Sequence, residues 1–216
     1  MTGILPIKKY GTQSAMTDFE EYTMLAPEPL EKYMGFTENE VRKLCEGSKI
    51  GFSAIREWYD GYILGENTHI YSPKSVMDAL VRNRIGNYWT QSETYESLKI
   101  YIDLDEDGLK EAIVQMLGGD RIKIDTGTFQ NDMTTIKRKD DVLTLLVHLG
   151  YLAYDADEKS VFIPNEEVRQ EFIRAVTAGR HQEIAKLIRN SDFLLEQTLG
   201  MDEEAVAAAL EEVYSA

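Results

Sequence analysis

The residues richest in potential chemistry are Arg56-Glu57-Trp58-Tyr59-Asp60-Gly61-Tyr62, followed closely by Tyr71-Ser72-Pro73-Lys74-Ser75-Val76. In the first stretch, three aromatics, two acids and a glycine within so few positions carry too many polar tips for a plain core. They also carry too much bulk for a plain loop. Two readings fit these residue types. One is a functional surface in which Arg56, Asp60 and Gly61 face a ligand. The other is structural: Trp58, Tyr59 and Tyr62 wedge two helices together and Asp60 caps a turn.

Other candidate chemistry is weaker. Asp103-Leu104-Asp105-Glu106-Asp107-Gly108 matches the opening of a calcium-binding loop, but the twelfth position is Val114 instead of a bidentate glutamate and the eighth is Lys110. An acidic lead-in to a helix is the better reading. His69, His148 and His181 lie in separate segments without metal-ligand spacing, so no metal site is expected from them. Cys45 is the single cysteine, which removes any disulfide within the chain or cysteine zinc cluster and suits a reducing cytoplasm. It reads as a small residue on a helix face. There is no Gly-x-x-x-x-Gly-Lys-Ser/Thr phosphate loop and no Gly-x-Ser-x-Gly elbow.

The elements that position these residues read as mostly helical. Of 216 residues, 43% are hydrophobic and 10% aromatic, enough for a packed core. Thr37-Glu38-Asn39-Glu40 is a capping box, with Val41, Leu44 and Cys45 as the apolar positions behind it. A second helix is expected over 49–59, with Ile55 and Trp58 on one face and Gly61 as its stop. Ser72-Pro73 opens a third, with Val76, Leu80 and Val81 inward. Further helices are expected over 94–102, 108–118, 180–190 and 202–213. Leu109, Ile113, Val114 and Leu117 form the stripe of the second of these.

Arg121–Asp125 alternates like a strand. Asp141–Leu149 then reads as a helix, Tyr151–Tyr154 and Ser160–Ile163 as a hairpin around Asp155-Ala156-Asp157-Glu158, and Pro164-Asn165 as the cap of a helix reaching Ala178. Helix, hairpin, helix is the pattern of a winged-helix-like module. The expected class is therefore mainly α with a small β-hairpin.

Charge narrows the partners. The formal net charge is −15, with 38 acids against 23 bases, which repels phosphate backbones and anionic membranes. The turn at Asp155–Glu158 is acidic where a DNA-contacting wing is basic, and Asp141–Leu149 offers only His148 as a base. No apolar run approaches the ~18 residues needed to span a bilayer, and Met1–Ile7 lacks the features of a signal peptide.

Taken together, Trp58-Tyr59-Asp60-Gly61-Tyr62, Tyr71–Val76, Gly86-Asn87-Tyr88-Trp89, Gly150-Tyr151-Leu152 and Ile163-Pro164-Asn165-Glu166-Glu167-Val168 resemble the bacterial AAA-ATPase-like family. The likeness runs in order from residue 2 to about 177, and rests on Trp58, Tyr59, Tyr62, Pro73, Tyr151, Pro164 and Asn165. The family carries a P-loop ATPase region and often a C-terminal PD-(D/E)XK nuclease-like domain. The resemblance implies a remnant of the ATPase core edge at 1–30, a helical lid at 31–120 and a winged-helix-like module at 121–178. Residues 179–216 would lead toward a nuclease-like domain.

The same resemblance implies that the chain is a middle piece of a STAND-like ATPase. Such a piece would couple nucleotide state to a C-terminal effector and would be inactive alone. Thr2 would stand at the phosphate-sensing strand end, and Arg56, with Arg42 as a rival, would be the lid cation. Asp60 and Gly61 would face nucleotide, with ATP and magnesium held elsewhere in the protein. The expected partners are then the ATPase core and the C-terminal domain. The alternative is an acidic protein-interaction adaptor, with DNA binding through the wing as a third reading.

Overall fold

The computed structural model describes residues 20–65, 68–89, 108–129 and 138–178. Thr2, the strand expected at 4–7, the helices expected at 94–102, 180–190 and 202–213, the acidic loop at 103–107 and His181 lie outside them. Among the described residues there are six α-helices and two small three-stranded antiparallel sheets. The chain is thus mixed, with more strand than the mainly α class read from the sequence.

The first half begins with β1 (Phe36–Thr37) and α1 (Glu38–Cys45). The capping box forms: the Glu40 carboxylate accepts from the Thr37 backbone N–H and from its hydroxyl, both at 2.8 Å. These bonds hold the Glu40 carboxyl below its ordinary range, the backbone bond first. Next comes α2 (Phe52–Tyr59), which starts at Gly51 and not at residue 49. It stops where Asp60 turns extended and Gly61 adopts φ 129°.

The chain then makes a hairpin that the sequence reading missed, β2 (Tyr62–Leu64) and β3 (Thr68–Tyr71). Tyr62 pairs with Ile70 and Leu64 with Thr68, while β1 adds to the far side of β3 with Phe36 opposite Tyr71. The segment Tyr62-Ile63-Leu64 and Thr68-His69-Ile70-Tyr71 is rich in β-branched and aromatic residues around Gly65, which is ordinary hairpin chemistry.

Helix α3 (Pro73–Arg82) is capped by Ser72, with Pro73 at its first turn, and ends on Asn83 in the left-handed region. Its inward face is Ser75, Val76 and Ala79. Val81 points outward and is 72% exposed, a rotation of the expected face. Leu44 is exposed as well, so α1 packs mainly through Val41. Val41, Ile50, Ile55, Tyr59, Tyr71, Val76, Ala79 and Tyr88 form the first core.

In the second half α4 (Leu109–Leu117) buries Leu109, Ala112, Ile113, Met116 and Leu117, with Val114 only half-buried. It is followed by β4 (Ile122–Lys123), α5 (Lys139–His148), β5 (Ala153–Asp155), β6 (Ser160–Phe162) and α6 (Glu166–Ala178). The strand expected at 151–154 begins two residues later, because Tyr151 and Leu152 first finish the end of α5. Gly150 takes φ 80°, and both residues return their backbone N–H to Leu146 O, at 2.9 and 3.2 Å.

The second sheet has the order β4-β6-β5. Helix α5 is buried on every side from Asp141 to His148, so it forms the centre of the second core, with Tyr151, Phe172 and Val168 around it. The edge strands β2 and β5 lie against each other, and α2 lies against α6. No helix among the described residues is long and apolar enough to cross a membrane.

Candidate functional site

The quoted motifs meet in space at two adjoining centres. The first is the corner where α2 ends. Asp60 Oδ1 accepts from the N–H of the next residue, Gly61, at 2.8 Å, where α2 ends. The same carboxylate takes His69 Nδ1 at 2.9 and 3.0 Å and Arg56 Nε at 3.5 Å.

Strand alternation puts His69 and Tyr71 on one face of β3. Because Thr37 pairs with Ile70, the next residue, Glu38, arrives beside His69 at the start of α1. Ligand atoms of Glu38, Asp60 and His69 lie within 4.8 Å of one another. The Tyr71 side chain is fully buried, and its hydroxyl has no hydrogen-bond partner. That hydroxyl stands close to Asp60 without the geometry of a full bond. Burial first, then the Asp60 and Glu38 charges and its contact with the Asp60 carboxylate, raise its pKa.

Beside this corner an open groove of about 400 Å³ is lined by Ser53, Arg56, Glu57, Asp60, Gly61 and Pro164. The Arg56 side chain is 55% exposed at its rim. Its two carboxylates against one guanidinium do not fit a triphosphate, which needs convergent cations and backbone amides. Arg42, the rival cation, is held on Glu38 Oε1 by Nε at 2.9 Å and Nη2 at 2.7 Å and stacks over Phe52.

The second centre is an interlock between the two halves. Gly61 sits directly on Pro164: a β-carbon at Gly61 would lie 1.7 Å from the Pro164 carbonyl oxygen. Tyr62 donates its hydroxyl to Gly150 O at 2.6 Å, and Tyr59 donates to Gly86 O at 2.7 Å. Burial pushes the Tyr59 hydroxyl up to about 12, and that of Tyr62 higher.

Three further motifs converge on Glu167, which is 2% exposed. Its Oε1 accepts from the Tyr88 N–H at 2.7 Å and the Trp89 N–H at 2.9 Å, and its Oε2 from the Ser75 hydroxyl at 2.7 Å. Burial raises its pKa and those donors oppose the rise. Asn87 bridges the Glu167 carbonyl at 3.1 Å and the Glu171 carboxylate at 2.7 Å, and Glu171 also pairs with Arg174.

Asn165 caps α6, its Oδ1 accepting from the Val168 N–H at 3.0 Å. Tyr151 is a core residue stacked edge-on between Trp89 and Phe172. Trp58 packs edge-on against Tyr59 on the first core.

Arg56, Asp60 and Gly61 therefore share one corner, while Pro73 only opens α3. Trp58 and Tyr59 pack at the first core, whereas Tyr62 lies on strand β2 and reaches the Gly150 carbonyl instead of wedging two helices. The sequence reading gave no role to Glu38, His69, Tyr71, Ser75 or Glu167. Spacing could not join His69 to its acids, since the three come from different elements. The hairpin register is the signal that would have done so. No protein-family model, curated protein or solved structure matches the chain.

Proposed function

We propose that the chain is a non-catalytic lid and relay of an AAA-ATPase-like, STAND-like protein. Its cytoplasmic role would be to pass nucleotide state to an effector domain. The observation that supports this most is the interlock. The Asp60 corner is fastened to the second half through Gly61 on Pro164, Tyr62 on Gly150 and the Glu167 carboxylate. Through these contacts a displacement of α2 would carry α6 with it. Arg56 is the exposed cation that a nucleotide-bearing surface would meet, but the groove alone does not cradle phosphates. ATP and magnesium belong to another surface.

The three-stranded sheet of β4, β6 and β5 with α5 and α6, within 121–178, would be the winged-helix-like module. It serves to transmit motion, since its Asp155–Glu158 turn is acidic and its Arg121 is already paired with Asp155 at 2.6 Å. The assay is ATP turnover by the purified chain, expected at buffer level. Turnover that Arg56→Ala abolishes overturns the non-catalytic reading.

One observation favours a second reading, an acidic adaptor. Met77 and Val81, one turn apart on α3, are 40% and 72% exposed. A Gly-x-x-x-x-Gly-Lys-Ser/Thr loop encoded in frame ahead of Met1 supports the first reading, and a stop codon just ahead of Met1 supports the adaptor.

A further inference from the structure

The Asp60 corner holds more chemistry than a turn needs. Glu38, Asp60 and His69 present ligand atoms within 4.8 Å of one another, from the start of α1, the end of α2 and the middle of β3. Such convergence from three elements is how metal sites are built when sequence spacing is silent. The cluster does not stand alone. The Tyr71 side chain is fully buried against it and its hydroxyl, beside the Asp60 carboxylate, makes no well-aligned hydrogen bond, whereas buried polar groups are almost always satisfied. It shares a face of β3 with His69 and lies beside the charges of Asp60 and Glu38. A ligand seated among the three acid and imidazole groups would give that oxygen the partner it lacks.

We propose that Glu38, Asp60 and His69, with the Tyr71 hydroxyl beside them, form a binding site for a divalent first-row transition metal ion, Zn²⁺ foremost. One imidazole nitrogen and two carboxylates suit zinc or manganese better than the all-oxygen shells of calcium and magnesium. Two arginines border the site and both leave room. Arg42 puts both of its contacts on Glu38 Oε1, so Oε2 has no contact with it. Arg56 touches only one Asp60 oxygen, at 3.5 Å, and more than half of its side chain is exposed, so it can swing out. A bound cation replaces the His69–Asp60 hydrogen bond and displaces Arg56 into the groove. The ion would then pin α1, α2 and β3 together at the point where the first half meets Pro164. The site does not depend on ATP.

The test is calorimetric titration of the whole chain with Zn²⁺, with Mg²⁺ as the control. His69 ring resonances are followed by NMR. The expected result is one Zn²⁺ per chain, perturbed His69 signals, and at least a tenfold loss of affinity in His69→Gln. Arg56→Ala removes a competing cation, should leave the fold intact, and is expected to bind Zn²⁺ at least threefold more tightly. No Zn²⁺ binding, binding that survives His69→Gln, equal binding of Mg²⁺, or unchanged affinity in Arg56→Ala each overturns the site. If His69→Gln fails to fold, the Arg56→Ala comparison and the His69 resonances decide alone.

Discussion

Glu167 offers the sharpest test of the interlock. Its carboxylate is buried, makes no ion pair among the described residues, and is held by donors from two other segments. In Glu167→Ala, the Tyr88 N–H is left in buried surroundings without its acceptor, while the Trp89 N–H is only part-buried and the Ser75 hydroxyl falls back on Ser72 Oγ at 3.3 Å. Each orphaned buried donor costs about 1–3 kcal/mol. That one donor sets a cost of roughly 1–3 kcal/mol, added to by the part-buried Trp89 N–H and offset in part because an ionised group no longer has to be desolvated. A net loss of about 2 kcal/mol follows from that range.

Glu167→Gln behaves differently. Its amide oxygen keeps both backbone N–H donors, and the Ser75 hydroxyl retains Ser72 Oγ at 3.3 Å. A loss of about 1 kcal/mol or less is expected. The two variants also separate by pH. Burial raises the folded pKa of Glu167 above its unfolded value, so the native state binds the proton more tightly. Its contribution to stability is therefore full below the unfolded value, ~4.3, and is lost as pH rises through the folded value. Wild type should gain on Glu167→Gln as pH falls from 7 toward 4.5. The assay is urea unfolding followed by tryptophan fluorescence, since Trp89 sits at the site. A change below 0.5 kcal/mol in Glu167→Ala, or no pH trend between wild type and Glu167→Gln, would refute the reasoning.

Four further outcomes follow. Gly61→Ala puts a β-carbon inside the Pro164 carbonyl and forces a side chain to φ 129°, so thermal melts should show a loss of at least ~3 kcal/mol. Tyr62→Phe leaves the Gly150 carbonyl without its hydroxyl donor and should cost about 1–3 kcal/mol in the same urea assay. Thr37→Ala removes a cap hydroxyl and should lower stability by about 1 kcal/mol. Val81→Ser, on the exposed side of α3, should change stability by less than ~0.5 kcal/mol, and a larger loss would mean that the face is covered.

What could be read from the sequence was local. The Thr37–Glu40 box, the Ser72-Pro73 start, the Gly150 stop and the Asn165 cap each depend on residues a few positions apart, and all of them form. The β2–β3 hairpin is not legible locally because its first strand, Tyr62–Leu64, is only three residues long and apolar throughout, so it carries no alternation. The outward turn of Val81 follows from what α3 packs against. Ser75 and Ala79 face in, and the polar Ser75 is drawn inward by Glu167, far along the chain. The site was half legible. Arg56, Asp60 and Gly61 do share a corner, but His69, Glu38 and Tyr71 join them only through strand register. Glu167 looks like any helix-starting acid until Tyr88 and Trp89 fold onto it.

The central claim is that the two halves move as one body, as a relay must. Hydrogen exchange of the whole chain, resolved by segment, tests this most directly. The prediction is that α2–α3 and α5–α6 exchange with one shared opening free energy, and that Glu167→Ala splits them into two. Separate opening free energies for the two halves in the wild-type chain would contradict it.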